Sequence, residues 1–159
     1  MKTKTTTLLA CIALGAAIPA AAQYKESKEG CLYTPQAIEA ALGFKVSEGK
    51  GTEVGFPGGK SLSCTYGSPG RNAVMLKLER MDKPGAFGGA TGMAGKAEPV
   101  AGDPDKAYWQ VGQGDLTDVA LTYVRGNTRT QVRVTGVNMK DKAAVDAMRA
   151  RVLKLPRVS

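Results

Sequence analysis

Not one histidine occurs in the 159 residues, and this absence removes more chemistry than any other feature of the composition. Without imidazole there is no Ser-His-Asp or Cys-His catalysis, no histidine-ligated zinc or haem, and no unperturbed side chain that titrates near neutral pH. Aromatic residues are scarce at 6%, with a single tryptophan. The three cysteines include no Cys-x-x-Cys pair, so the thiol-redox motif is missing as well. Long apolar runs are rare. The most extended, from Leu8 to Ile18, falls short of the ~20 residues that a membrane-spanning helix needs. No transmembrane segment is expected.

That first stretch reads as an address. Lys2 and Lys4 supply a positive start, Leu8 to Ile18 an apolar core, and Ala20-Ala21-Ala22 the small residues of a cleavage site. Together they have the three-part layout of a secretory signal. Residues 1–22 are therefore expected to be removed, leaving a mature domain over 23–159 that is periplasmic or secreted. Lipoprotein processing at Cys11 is the weaker reading, because the polar Thr5 to Thr7 leave too short an apolar core before it.

Once Cys11 departs with the signal, only Cys31 and Cys64 remain. In an oxidising compartment two such cysteines pair. The bridge closes a long loop and is worth roughly 3–4 kcal/mol in the chain-entropy picture, a large share of a typical ~5–15 kcal/mol net stability. No histidine is present to activate a thiol, so the expected role is structural.

Along the mature chain, Thr34-Pro35 opens and Gly43 closes a short helix whose apolar face is Ile38, Ala41 and Leu42. Phe44 to Ser47 reads as extended. Gly51 to Lys60, with four glycines and Pro57, reads as a loop or long hairpin connection. Leu62 to Tyr66 and Asn72 to Glu79 alternate as a hairpin across Gly67-Ser68-Pro69-Gly70. Gly85 to Gly95 reads as either a loose helix or a loop, Pro99 to Asp105 as a loop, and Tyr108 to Val111 as a strand. Val119 to Val124 and Thr128 to Thr135 form the clearest hairpin, turning at Gly126-Asn127. Asp141 caps a last helix with Ala144, Val145, Met148, Val152 and Leu155 on its apolar side, stopped by Pro156. The pattern predicts a single α+β domain: an antiparallel sheet of about five to six strands with an N-terminal and a C-terminal helix packed on it.

Motifs for specific chemistry fail on their spacing. Gly59-Lys60-Ser61 ends like a P-loop, but the required upstream glycine is Val54, and a strand rather than a helix follows. Gly95-Lys96-Ala97 and Gly112-Gln113-Gly114 lack further required positions. Ser47-Glu48-Gly49-Lys50 has the Ser-x-x-Lys spacing, but Gly49 opposes the helix it needs, and no Ser-Asp-Asn or Lys-Thr-Gly follows in the mature chain. Asp103, Asp105, Asp115 and Asp118 cluster in sequence without the order of a calcium loop. No metal and no cofactor is expected, and no catalytic residue is assigned.

Charge is the strongest signal. Residues 23–120 carry 11 basic and 12 acidic side chains, whereas 121–159 carry nine basic ones against Asp141 and Asp146. Arg129 and Arg133 share one strand face around Gln131, with Arg125 near the turn. These three arginines form the candidate binding residues for an anionic partner. Helix-dipole complementation by Arg149, Arg151 and Lys154 is the competing explanation of the bias. Nucleic acid is disfavoured, because export removes most of it and no aromatics interleave with the arginines.

Cys31, Thr34-x-x-x-Ile38-x-x-Ala41-Leu42-Gly43 and Cys64-Thr65-Tyr66, together with Glu98-Pro99-Val100-x-Gly102 and Ala107-Tyr108-Trp109, resemble small secreted or lipoprotein domains of bacterial envelopes without assigned function. The resemblance implies an α+β envelope domain with a cysteine bridge and brings no catalytic residue with it. The functional expectation is a non-enzymatic envelope protein that binds a protein partner or an anionic glycan or lipid through Arg125, Arg129 and Arg133. Two alternatives stand beside it: an inhibitor or immunity-type protein against a secreted enzyme, and a small hydrolase using carboxylates or a Ser-Lys pair.

Overall fold

Strict alternation sets the centre of the molecule. In the computed structural model, which describes residues 24–67, 72–85, 87, 96–111 and 118–159, Leu62, Cys64 and Tyr66 are buried while Ser61, Ser63 and Thr65 between them are only half-buried. Val74, Leu76 and Leu78 repeat the pattern, as do Thr128, Thr130, Val132 and Val134. A period of two leaves one sheet face to the core and the other to solvent.

The strands are β1 (Tyr24–Glu26), β2 (Lys50–Phe56), β3 (Gly59–Tyr66), β4 (Val74–Met81), β5 (Lys96–Pro99), β6 (Tyr108–Val111), β7 (Asp118–Arg125) and β8 (Thr128–Thr135). They form one eight-stranded antiparallel sheet in the order β1-β2-β3-β4-β8-β7-β6-β5. The chain therefore builds two four-stranded meanders that join where β4 meets β8. Register carries the core across this junction: Leu76 sits opposite Cys64 on one side and Val132 on the other, and Val132 opposite Leu121.

Two short helices lie on the core face, α1 (Pro35–Leu42) and α2 (Lys142–Val152). Thr34 caps α1 by accepting from the Ala37 amide, and Gly43 ends it at φ 79°, where a side chain would be strained. Asp141 caps α2 through the Ala144 amide. Ile38, Leu42, Val145 and Val152 join the same buried cluster as the sheet residues.

The expected sheet of five to six strands with a helix at either end packed on it is overturned: the fold is in the main a single eight-stranded sheet, and the helices are minor additions of 8 and 11 residues. Glycines misled the sequence reading. Gly51 and Gly55 lie inside β2, Gly59 opens β3, and only Pro57-Gly58 turns between them. Gly51 has to lack a side chain, because a Cβ there would collide with the Ser27 carbonyl oxygen. At Gly49 it would come within 3.0 Å of Cys31 Sγ and 2.8 Å of the Tyr66 ring. Both glycines make room for the disulfide and the chain beside it, not for a loop. Phe44 to Ser47, expected to be extended, is irregular. The signal segment 1–22 and residues 88–95 of the glycine-rich stretch lie outside the described residues.

Cys31 and Cys64 form a disulfide, with Cα atoms 5.1 Å apart. It ties the connection between β1 and α1 to the middle of β3. Among the described residues, no helix is long and apolar enough to cross a membrane.

Candidate functional site

The three arginines named from the sequence lie on two different faces. Register places Arg129 opposite Glu79 and Arg133 opposite Met75, on the sheet face that carries no helix. Arg125 pairs in register with Thr128, a core-face position, so its side chain leaves on the helix side. Odd and even positions along neighbouring strands decide this.

On the open face, Arg129 Nε donates to Glu79 Oε2 at 2.7 Å, and its guanidinium stands 5.1 Å from the centre of the Phe87 ring. Lys77 completes the group at 2.8 Å from Glu79 Oε1. Burial by itself would raise the Glu79 pKa, but hydrogen bonds and charge from Lys77 and Arg129 outweigh it and hold the carboxyl below its ordinary range. Arg133 Nε lies 3.1 Å from Asp118, and the Gln131 amide donates to Gln110. Two guanidinium groups flanking an amide are thus held by ion pairs on a half-exposed surface. Fixed planar donors of this kind suit recognition of oxyanions. The sequence could have shown Lys77 and Glu79, which take the polar positions in the alternation of β4, but nothing local revealed that Phe87 reaches Arg129.

Arg125 belongs to a different arrangement. Lys60, Arg80, Thr128 and Arg125 form a cross-strand row on the helix side. Glu29 bridges Lys60 at 2.7 Å and Arg80 at 2.5 Å, and Asp105 takes Arg125 at 2.9 Å. That hydrogen bond, against a smaller opposing effect of desolvation, raises the Arg125 pKa. Arg125 also donates to the Arg157 carbonyl at 3.3 Å, while Arg157 pairs with Asp103 and stands 4.5 Å from the Tyr123 ring. Here the cations fasten the segment after α2 to the sheet, with Tyr123 and Thr130 both bonded to Val158. Arg125 is a clamp for chain 155–159, and the structure does not bring it together with Arg129 and Arg133.

A cleft of about 470 Å³ lies at the β1 edge between residues 26–28 and 49–52. It holds the exposed Lys28, Lys50 and Glu26, with no converging buried titratable pair. Among the described residues, no group of three or more His, Cys, Asp or Glu side chains is placed to hold a metal ion. Ser47 Oγ accepts from the Gly67 amide at 3.1 Å, and Lys50 opens β2 opposite Thr65. Comparison with family models, curated proteins and solved structures returned no match.

Proposed function

We propose that this chain is an exported, disulfide-stapled binding domain that docks an anionic component of the cell envelope on its open sheet face, without carrying out chemistry. The observation that carries the proposal is the ordered pair Arg129 and Arg133 on either side of Gln131, on the face that the helices leave uncovered. Lys77 adds a third cation beside them. Export is supported by the signal-like start and by the Cys31–Cys64 bridge, which belongs to oxidising compartments. Arg125 stands apart from the docking face, since it leaves the sheet on the helix side, where it also donates to the Arg157 carbonyl.

The test is retention on an anionic envelope fraction at low salt. The double variant Arg129→Gln/Arg133→Gln should bind about tenfold more weakly or worse, because removing matched charge contacts acts directly on affinity. The control Lys140→Gln/Lys154→Gln removes the same charge from exposed positions at either end of α2 and should bind as wild type. Equal retention of wild type and the arginine double variant, with unchanged melting, would overturn the reading.

A further inference from the structure

Register lays out the open face as rows that run across the strands. One row reads Tyr24, Val54, Ser61, Glu79, Arg129, Val124, each opposite the next on the neighbouring strand. From β1 to β8 it crosses four inter-strand steps, about 19 Å at the usual strand spacing of ~4.8 Å. Aromatic rings stand at both ends. Tyr24 is 80% exposed and Phe56 38% exposed, and they are diagonal neighbours on adjacent strands, within mutual reach. At the far end, Phe87 stands over Arg129. Between them the row passes the half-buried Val54 and then hydroxyl and charge: the Thr52 and Ser63 hydroxyls share a hydrogen bond of 2.7 Å, followed by Lys77, Glu79 and Arg129.

We infer that the ligand of this face is an acidic polysaccharide, laid across the strands from Tyr24 to Arg129; this rests on the docking reading above and names its partner. Each part of the row matches one property of such a polymer. The C–H faces of sugar rings pack on exposed aromatic rings, which are electron-rich on their faces. Sugar hydroxyls both donate and accept, so they can use Glu79 as well as Lys77 and the guanidinium groups. Uronate or phosphate substituents take Arg129 and Arg133 as planar or charge-assisted partners. The rival polymers fit less well. A bilayer has no ring face to pack on Tyr24 and Phe56, and a nucleic-acid backbone offers phosphate acceptors but no run of hydroxyl donors for Glu79. A protein interface wants an apolar centre depleted in charge, whereas here Lys77, Glu79 and Arg129 hold the centre and the exposed apolar side chains Met75 and Val124 stand beside the charged ones, opposite Arg133 and Arg129.

The experiment is titration of the full mature protein with alginate oligosaccharides, which are pure polyuronates, with dextran as a neutral glycan and phosphatidylglycerol vesicles as an anionic surface. The wild type should bind alginate and neither of the others. Tyr24→Leu/Phe56→Leu, which removes the rings but leaves apolar cover over Gly59, should weaken alginate binding by about tenfold. Arg129→Gln/Arg133→Gln should weaken it at least as much. If the aromatic variant binds alginate like wild type, or if vesicles are captured and alginate is not, the polysaccharide inference falls, while docking through the arginines stands. If the arginine variant also binds unchanged, both fall.

Discussion

Glu79 shows how a single side chain converts charge pattern into pH response. It accepts from Lys77 and Arg129, and its pKa is lower in the fold than in the unfolded chain. A carboxyl with a depressed folded pKa contributes stability above its unfolded value, ~4.3 for Glu, and loses it as pH falls through the folded value. Glu79→Gln is therefore expected to be less stable than wild type at neutral pH by about 0.5–1 kcal/mol. The two should converge as the solution is acidified below about pH 4. Chemical denaturation across that range measures both. A constant gap at every pH would show that the ion pairs add nothing beyond packing. The arginines themselves were legible as residues, because alternation in β8 sets Arg129, Gln131 and Arg133 on one side. Their carboxylate partners were not, because Glu79 is 50 positions from Arg129 and only register brings them together.

At the scale of elements, the capped helices and the β7–β8 hairpin could be read locally: their signals lie within a few residues, as with Thr34 and Gly43, or Asp141 and the turn at Gly126. β2 could not. Its glycines carry loop statistics, yet Gly51 serves the close approach of Ser27 and Cys31 in a regular strand. β1 has only three residues, too few for a period to declare itself, and β5, Lys-Ala-Glu-Pro, lacks the aromatic and β-branched residues that mark the equally short β6. The segment after α2 was equally silent in sequence, although five side-chain donors hold its carbonyls. Tyr33 donates to the Pro156 carbonyl, Arg125 to that of Arg157, Arg80 to that of Ser159, and Tyr123 and Thr130 to that of Val158. Burial first, then the neighbouring Tyr123, raises the Tyr33 pKa far above the ordinary phenol, so its hydroxyl remains a donor. Tyr123 is used twice, since its oxygen also accepts from the Val158 amide at 2.9 Å. Tyr123→Phe leaves that amide without this partner and should cost about 1–3 kcal/mol. It should also speed hydrogen exchange of the Val158 amide. Unaltered exchange there would mean that the segment is held by its apolar contacts instead.

Taken whole, the molecule divides its cations by face. On the helix side Lys60, Arg80, Arg125 and Arg157 are consumed by Glu29, Asp105, Asp103 and main-chain carbonyls. On the open side Arg129 and Arg133 are likewise paired with carboxylates, at about a third exposed, comparable with Arg125 on the helix side at 40%. The excess positive charge of residues 121–159 is thus spread over both faces, and what marks the helix side is that Arg80 and Arg125 also donate to the main chain of residues 157–159; net charge alone could not separate the two. The central claim is that the open face, and not the helix side, receives the anionic partner. Backbone amide chemical shifts of the isotopically labelled mature protein, followed during addition of alginate oligosaccharides, test it most directly. The account predicts that the largest changes fall on β2, β3, β4 and β8 around Ser61, Lys77 and Gln131, with α1, α2 and residues 153–159 unmoved. Shifts concentrated on the helices and the Arg125–Arg157 clamp, with the open face silent, would contradict it.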